Sequence, residues 1–203
     1  YGKSNKRTRP LIMCEYSHAM GNSNGSLSDY WKVFDNTPGL QGGFIWEWKD
    51  HGLRQMLPNG KERFAYGGQF GDSPHDGNFV ADGLMHADLT PHPAMREVAW
   101  VHRPIAASLV GSKSSPRIRL KNRQAFRNSS WLTATFEIVV NGVVRRKGKL
   151  ACSEIGAGKS KQIKMPSIRG FSGDVRLNIF WRTKRAELWC DRGHLVAWDQ
   201  LTL

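Results

Sequence analysis

The sequence predicts an α/β unit followed by an all-β unit, and three observations carry that reading. Its first half runs strand, helix, strand, with helical spacing between two apolar runs. Its second half is a succession of short strands with a strong hairpin signal. The charge divides in the same place: residues 1–105 hold 11 Lys and Arg against 11 Asp and Glu, and residues 106–203 hold 19 against 6, so the net charge of +13 falls entirely on the second half. Six of the seven histidines, His18, His51, His75, His86, His92 and His102, lie in the first half and only His194 in the second. Two domains of different character follow, 1–105 and 106–203.

The first unit opens with polar and basic residues up to Pro10. Leu11-Ile12-Met13-Cys14 is apolar without alternation, as a short buried strand is, and it ends at Glu15-Tyr16-Ser17-His18. The turn cluster Gly21-Asn22-Ser23-Asn24-Gly25-Ser26 offers N-cap residues. Leu27, Tyr30, Trp31 and Phe34 then recur at i, i+3, i+4 and i+7, the stripe of an amphipathic helix. Pro38 and Gly39 stop that helix, and Leu40 to Trp48 forms a second strand. Strand, helix, strand is a parallel-sheet unit. From Lys49 to about Leu89 periodicity disappears, and loops longer than about 12–15 residues inside compact domains are usually functional. Thr90-Pro91-His92-Pro93 opens a second helix with proline in its first turn, carrying Met95, Val98 and Ala99 inward. At 203 residues the chain is short of the roughly 250 of a closed (β/α)8 barrel, so a whole barrel is excluded.

In the second unit the strands are Ile118 to Leu120, Trp131 to Val140, Val143 to Lys149, Ser160 to Met165, Val175 to Trp181 and Leu195 to Leu203. Asn141-Gly142 between two of them is the strongest short-range hairpin signal, and an antiparallel β-sandwich is the expected outcome. A hydrophobic fraction of 39% is too high for wholesale disorder. No apolar run reaches the roughly 18 residues of a membrane span, and Tyr1 to Pro10 has no hydrophobic stretch to act as a leader. Cys14, Cys152 and Cys190 are odd in number and lack CxxC spacing, which suggests neither a disulfide framework nor a zinc site and fits a reducing cytoplasm. No GxGxxG, GxxxxGKS or HExxH occurs. The basic second half could contact nucleic acid, but Arg145-Arg146-Lys147-Gly148-Lys149 lies on a hairpin whose alternation spreads the charges over both faces. A solvated edge strand, protected by its charges from edge-to-edge pairing, is the better reading, and neither a membrane nor a nucleic-acid partner is expected.

Several residues have the chemistry of a site. Glu15 sits at the carboxyl end of a parallel strand, where α/β barrels assemble active sites; by position alone it reads either as such a carboxylate or as an ordinary ion-paired strand end. His18 lies beside it. Trp46, Glu47 and Trp48 repeat the arrangement on the second strand, with the two indoles on one face and the carboxylate on the other. Those indoles either stack on the apolar face of a sugar or belong to the core. Asp72, Asp76 and Asp82, with carbonyls around Phe79, either hold a hard cation or make plain turns.

The segment from Leu11 through Glu15-Tyr16-Ser17-His18-Ala19-Met20-Gly21-Asn22 to Ser23 closely resembles the nucleophile signature of glycoside hydrolase family 2, in particular the large β-galactosidases. The likeness continues through Leu40 to Trp48, Ala65 to Asp72, Asp82-Gly83-Leu84 and Thr90 to Ala94. It covers Arg9 to Pro104 and fades in the second half to the strand pattern and Gly193 to Trp198. It implies an incomplete (β/α)8 TIM-barrel segment, residues 1–105, followed by an immunoglobulin-like antiparallel β-sandwich, residues 106–203. The implied activity is hydrolysis of terminal β-D-galactosides with retention. Glu15 would be the catalytic nucleophile, His18 a ligand of a substrate hydroxyl and Trp46 a wall of the galactose pocket. The Phe79 carbonyl and Asp82 would bind sodium, with Asp82 standing where asparagine is expected, which keeps the oxygen ligand and adds a charge. His75 receives no role.

A retaining glycosidase needs a second carboxyl about 5–5.5 Å from its nucleophile. In the family that acid/base is the glutamate of an Asn-Glu pair upstream, and no Asn-Glu occurs in this chain. The family's magnesium ligands also lie upstream. The resemblance therefore implies a fragment or subunit that works with the remainder of the enzyme, inactive by itself and homo-oligomeric when complete. A different β-glycoside specificity within the family is the alternative enzyme reading, against which Gly21-Asn22-Ser23 and Tyr66-Gly67-Gly68 favour galactosidase. A non-catalytic binding or assembly module is the alternative outside enzymes, against which Glu15 and His18 both stand.

Overall fold

A computed structural model describes Ser4, residues 8–112 and residues 115–203. The rest of the basic opening up to Arg7, together with Lys113 and Ser114, lies outside the described residues. The chain is mostly β with two short α-helices, and it divides into two compact units, Tyr1–Val101 and His102–Leu203.

The first unit contains β1 (Leu11–Tyr16), α1 (Leu27–Asn36), β2 (Leu40–Ile45), β3 (Leu53–Met56), β4 (Glu62–Ala65) and α2 (Met95–Val101). β1 and β2 pair in parallel, with Leu11 opposite Leu40, Met13 opposite Gly43 and Tyr16 opposite Ile45, so their carboxyl ends emerge side by side. Gly43 is required by this packing: a Cβ there would lie 2.8 Å from Met13 Cβ and 2.9 Å from Tyr16 Cδ1. The apolar stripe of α1 covers one face of the pair. Leu27 and Phe34 are buried with Tyr16 and Val101, and Trp31 Nε1 donates to Tyr16 Oη at 3.0 Å. Ser28 N donates to Glu97 Oε1 at 3.2 Å, tying α1 to α2.

The structure departs from the expectations for this unit in several places. β1 is largely exposed, with Ile12 half in solvent, because β2 is its only partner among the described residues and α1 shields a single face. β2 ends at Ile45, so Trp46, Glu47 and Trp48 lie beyond the strand, though the alternation in exposure continues through them, with both indoles exposed and Glu47 half-buried between them. Ser26 precedes α1 in the left-handed region, φ +59°, and its hydroxyl makes no capping bond. Helix α2 begins at Met95, leaving Thr90–Pro93 outside it; Ala99 is exposed, whereas Val98, Trp100 and Val101 face the core. The supposed structureless stretch contains the β3–β4 hairpin, turned at Leu57–Lys61 around Asn59-Gly60, the dipeptide signal used for the second unit.

The second unit holds β5 (Ile105–Ser112), β6 (Ser115–Asn122), a 3₁₀ turn (Ser129–Trp131), β7 (Leu132–Val140), β8 (Val143–Lys149), β9 (Ser160–Lys164), β10 (Val175–Thr183) and β11 (Leu195–Thr202). Two antiparallel sheets, ordered β11-β10-β7-β8 and β5-β6-β9, share one core in which Ile105, Ile118, Leu120, Ile138, Leu177 and Ile179 are fully buried. β10 alternates strictly, with every second residue inward. The β7–β8 turn places Asn141 at φ +49° and Gly142 at φ +79°, the conformation that a two-residue type I′ hairpin demands and that Asn-Gly tolerates. β8 is an edge strand and its basic residues are exposed. β5 was not expected as a strand; it opens at Ile105, within this unit. All three cysteines are free.

Arg103 and Asp199 form a buried ion pair in this unit, Nη2 to Oδ1 at 2.9 Å, while Asp199 Oδ2 accepts the Ala107 amide at 2.7 Å. Burial pushes the Asp199 carboxyl up and the Arg103 guanidinium down, and their mutual attraction opposes both shifts. Removing one member leaves an uncompensated buried charge. Arg103→Ala is therefore expected to destabilise the second unit by about 3–5 kcal/mol, measured by urea unfolding; a loss under about 1 kcal/mol would contradict the buried-pair account.

Candidate active site

The site grows from the parallel β1–β2 pair. Beyond the paired residues the backbones stay joined, since Trp46 N donates to Tyr16 O at 3.4 Å and Ala19 N donates to Trp46 O at 2.6 Å. The loop after β1 is therefore clamped to the residues that leave β2. Asn24, buried in the following turn, reinforces it: its Nδ2 donates to Ser17 O and, at 2.8 Å, to Ser17 Oγ. Ser17 holds φ +50°, which turns the chain so that His18 leaves the strand direction.

Asp82 is the meeting point of the side chains. Only 3% of its side chain is exposed. Its Oδ2 accepts Trp46 Nε1 at 3.2 Å and lies 3.8 Å from His18 Nε2. Through its backbone carbonyl it accepts Glu47 N at 2.8 Å, and Leu84 N returns a bond to Glu47 O at 2.8 Å, so the loop before α2 is stitched to the segment following β2. The Phe79 ring, mostly exposed, stacks on His18 with centroids 5.7 Å apart and planes 27° from parallel. The structure thus brings together His18, Trp46, Phe79 and Asp82. Glu15 is exposed at the carboxyl end of β1, on the face opposite buried Tyr16, three residues before His18. Among the described residues no hydrogen bond or ion pair joins Glu15 to the other four.

Glu47 and His51 were not foreseen in this role. His51 Nε2 closes on Glu47 Oε1 four residues later in sequence, and the Glu47 carboxyl lies beside that of Asp82, with ligand atoms of the three residues within 4.8 Å of one another. Burial raises the Glu47 pKa, the His51 charge pulls it down, and the neighbouring Asp82 carboxyl pushes it up again, with a net rise. A cation beside two such neighbouring carboxyls would relieve their repulsion. Asp82 Oδ1 is buried and has no hydrogen-bond partner, an acceptor of the kind that a hard cation fills. Asp72 and Asp76 do not join it. Asp72 Oδ2 instead accepts the Gly68 amide at 3.1 Å, and amides of its own loop hold that carboxyl below its usual range; the Asp76 carbonyl accepts Phe79 N at 3.0 Å. The glycine- and aspartate-rich stretch is turn structure there, and the oxygen-rich cluster forms with Glu47 instead. The sequence signal for it was the Glu47–His51 spacing directly after an apolar strand.

A buried carboxylate with an indole donor on one side, an imidazole on the other and an exposed aromatic ring over it has the makings of a carbohydrate site, in which rings cover apolar sugar faces and fixed acceptors take hydroxyl protons. Comparison with known proteins defines the class. Residues 2–107 match the profile described as "Glycosyl hydrolases family 2, TIM barrel domain", and residues 118–203 match "Beta-galactosidase, domain 4". The chain belongs to glycosyl hydrolase family 2. Among its relatives, "Beta-galactosidase 2" of Enterobacter cloacae is 38% identical over 197 residues, 97% of this chain and 19% of that protein. "Beta-galactosidase" of Vibrio vulnificus (strain YJ016) is 38% identical over 198 residues, again 97% and 19%, and that of Actinobacillus pleuropneumoniae is 40% identical over 197 residues, 96% and 19%. The chain spans about a fifth of the length of these relatives. Among the described residues no helix is long and apolar enough to cross a membrane.

The raised Glu47 carboxyl has a testable consequence. Where pH exceeds the ordinary glutamate value but not the raised one, the folded state keeps a proton that the unfolded chain has lost, so stability falls as pH rises through that window and levels off above it. Comparing the chain with Glu47→Gln in thermal melts from about pH 4 to pH 7 should show the wild-type advantage shrinking with pH. A constant or growing advantage would contradict the assignment.

Proposed function

We propose that the first unit carries half of the catalytic pair of a retaining β-galactosidase, with Glu15 as nucleophile and the acid/base contributed by the remainder of a longer or multi-chain enzyme. In this reading the unit is a segment of a (β/α)8 barrel and the second unit is an immunoglobulin-like sandwich attached to it. The observation that carries the reading is the convergence at one end of the β1–β2 pair: Glu15 and His18 leave β1, Trp46 leaves β2, and Asp82 receives both His18 and Trp46. The relatives named β-galactosidase supply the substrate class.

The chemistry follows from the groups present. Glu15 Oε attacks the anomeric carbon, forming a glycosyl ester as the glycosidic oxygen departs with a proton from the partner acid. Water, deprotonated by that same group, then releases the sugar with its original configuration. Exposure keeps Glu15 accessible on its strand end. His18 is oriented by Asp82 and covered by Phe79, so its imidazole is a fixed partner for a substrate hydroxyl. The Trp46 indole, pinned through Nε1, presents a partly exposed ring to an apolar sugar face. Asp82, through its unpartnered Oδ1, and the Phe79 carbonyl would hold sodium, which supplies a positive charge for a sugar oxygen. Asp82 in place of asparagine strengthens that attraction by one charge. Magnesium, whose ligands the resemblance puts upstream, belongs to the completing part.

The test is hydrolysis of a chromogenic β-galactoside by the purified chain, alone and mixed with a relative from which the region equivalent to Glu15 has been deleted, sodium and magnesium being present. Activity is expected only on mixing, and Glu15→Gln should lower it by about 10⁴-fold or more. Activity of the chain alone would overturn the two-part reading and shift the acid role to Glu47, whose carboxyl is already raised.

A further inference from the structure

A second cluster in the first unit lies outside this machinery. Asp50 Oδ2 is 2.9 Å from His92 Nε2 and 3.8 Å from His86 Nδ1, and one ligand atom from each of the three lies within 4.8 Å of the others. The two imidazole rings are 3.6 Å apart between centroids. We propose that Asp50, His86 and His92 form a binding site for a divalent transition cation of the zinc class.

Four observations support it. Two imidazoles and one carboxylate are the donor set preferred by zinc, nickel and non-haem iron over calcium or magnesium. Zinc bonds of about 2.0–2.2 Å put tetrahedral ligand pairs about 3.4 Å apart, and the observed 2.9 and 3.8 Å straddle that spacing. The backbone already holds the three residues in place: Asp50 N donates to Met85 O at 2.9 Å, His86 N to Thr90 O at 2.8 Å and His92 N to Leu84 O at 3.0 Å. Finally, Asp50 Oδ1 accepts the Gly83 amide at 2.8 Å, the outer-shell support that metal ligands characteristically have, and this orients Oδ2 toward the two imidazoles, where a cation would replace its hydrogen bond with His92 Nε2.

Asp50 and His86 also line a cavity of about 380 Å³ whose other walls include Phe64, Tyr66 and Thr90. Three protein ligands with an open side facing such a cavity match the pattern in which water or a small anionic ligand completes the coordination. Asp50 and His92 are mostly buried while His86 is half-exposed, so the cation would enter past His86 and fasten its loop to the segment that follows β2.

The probe is Co²⁺, titrated into the tag-free 203-residue chain and followed by its visible ligand-field absorption, with Zn²⁺ added in competition. One equivalent should bind, Zn²⁺ should displace it, and His86→Ala, a substitution at a half-exposed loop residue, should weaken binding at least about 100-fold, beyond the 10–100-fold typical of losing an outer-shell partner. His51→Ala, which removes the imidazole from the separate Glu47–His51–Asp82 cluster, should leave Co²⁺ binding unchanged. Circular dichroism melts establish that both variants are folded as the parent is. The proposal fails if the folded chain gives no saturable absorption, if His86→Ala binds as tightly as the parent, or if His51→Ala abolishes the signal. None of these results depends on hydrolytic activity, so the site stands or falls separately from the proposed catalytic reading.

Discussion

The first unit depends on how one buried carboxylate is satisfied. Removing Asp82 from water is costly unless its charge and hydrogen-bonding capacity are met, and what meets them comes from separate stretches of chain, the Trp46 indole after β2 and the His18 imidazole after β1, while the Glu47 amide holds the Asp82 backbone carbonyl. Each of these partners is thereby held in one orientation. The loop after β1, the exit from β2 and the turn before Gly83 have little regular secondary structure to order them, and their common contact with Asp82 does so instead. The same arrangement leaves Asp82 Oδ1 with no donor, so the constraint that organises the site also creates its strongest candidate ligand for a cation.

Much of this unit was legible because its signals are local. The i, i+3, i+4, i+7 stripe of Leu27, Tyr30, Trp31 and Phe34 became α1, and the apolar runs on either side became β1 and β2 in parallel. Local signals failed where pairing across the fold decides the outcome. Nothing between Leu11 and Cys14 tells how many neighbours β1 has, so its exposure was invisible. The β3–β4 hairpin was missed despite Asn59-Gly60, since four-residue strands are too short to show alternation. In the second unit the hairpin at Asn141-Gly142 and the strict alternation of β10 were readable, whereas β5 escaped because the domain boundary was drawn through its first residue.

The site was legible to a different extent. His18, Trp46, Phe79 and Asp82 were singled out from sequence and are in contact in the structure. Glu47 and His51 join them through a close contact with each other and the proximity of Glu47 to Asp82, the latter set by where the loop carrying Asp82 folds back and not by any local pattern around Glu47. Asp72 and Asp76 were grouped with Asp82 on composition, yet their backbones form turns that satisfy their oxygens locally. Asp50, His86 and His92 are 36 and 6 residues apart in sequence, a spacing with no motif, and the bridging of Lys49 and Pro91 to Met85, with the backbone bonds around it, brings them together.

The role of Glu15 is the claim on which the functional account rests, and covalent trapping addresses it directly. The chain, completed by the deleted relative, is incubated with a 2-deoxy-2-fluoro-β-galactosyl donor bearing a good leaving group, which slows release of a glycosyl ester, and is then digested for peptide mass spectrometry. The account predicts a single fluorosugar on the peptide that contains Glu15. A label on Glu47 or another carboxylate, or none on this chain while the mixture still turns over substrate, would contradict it.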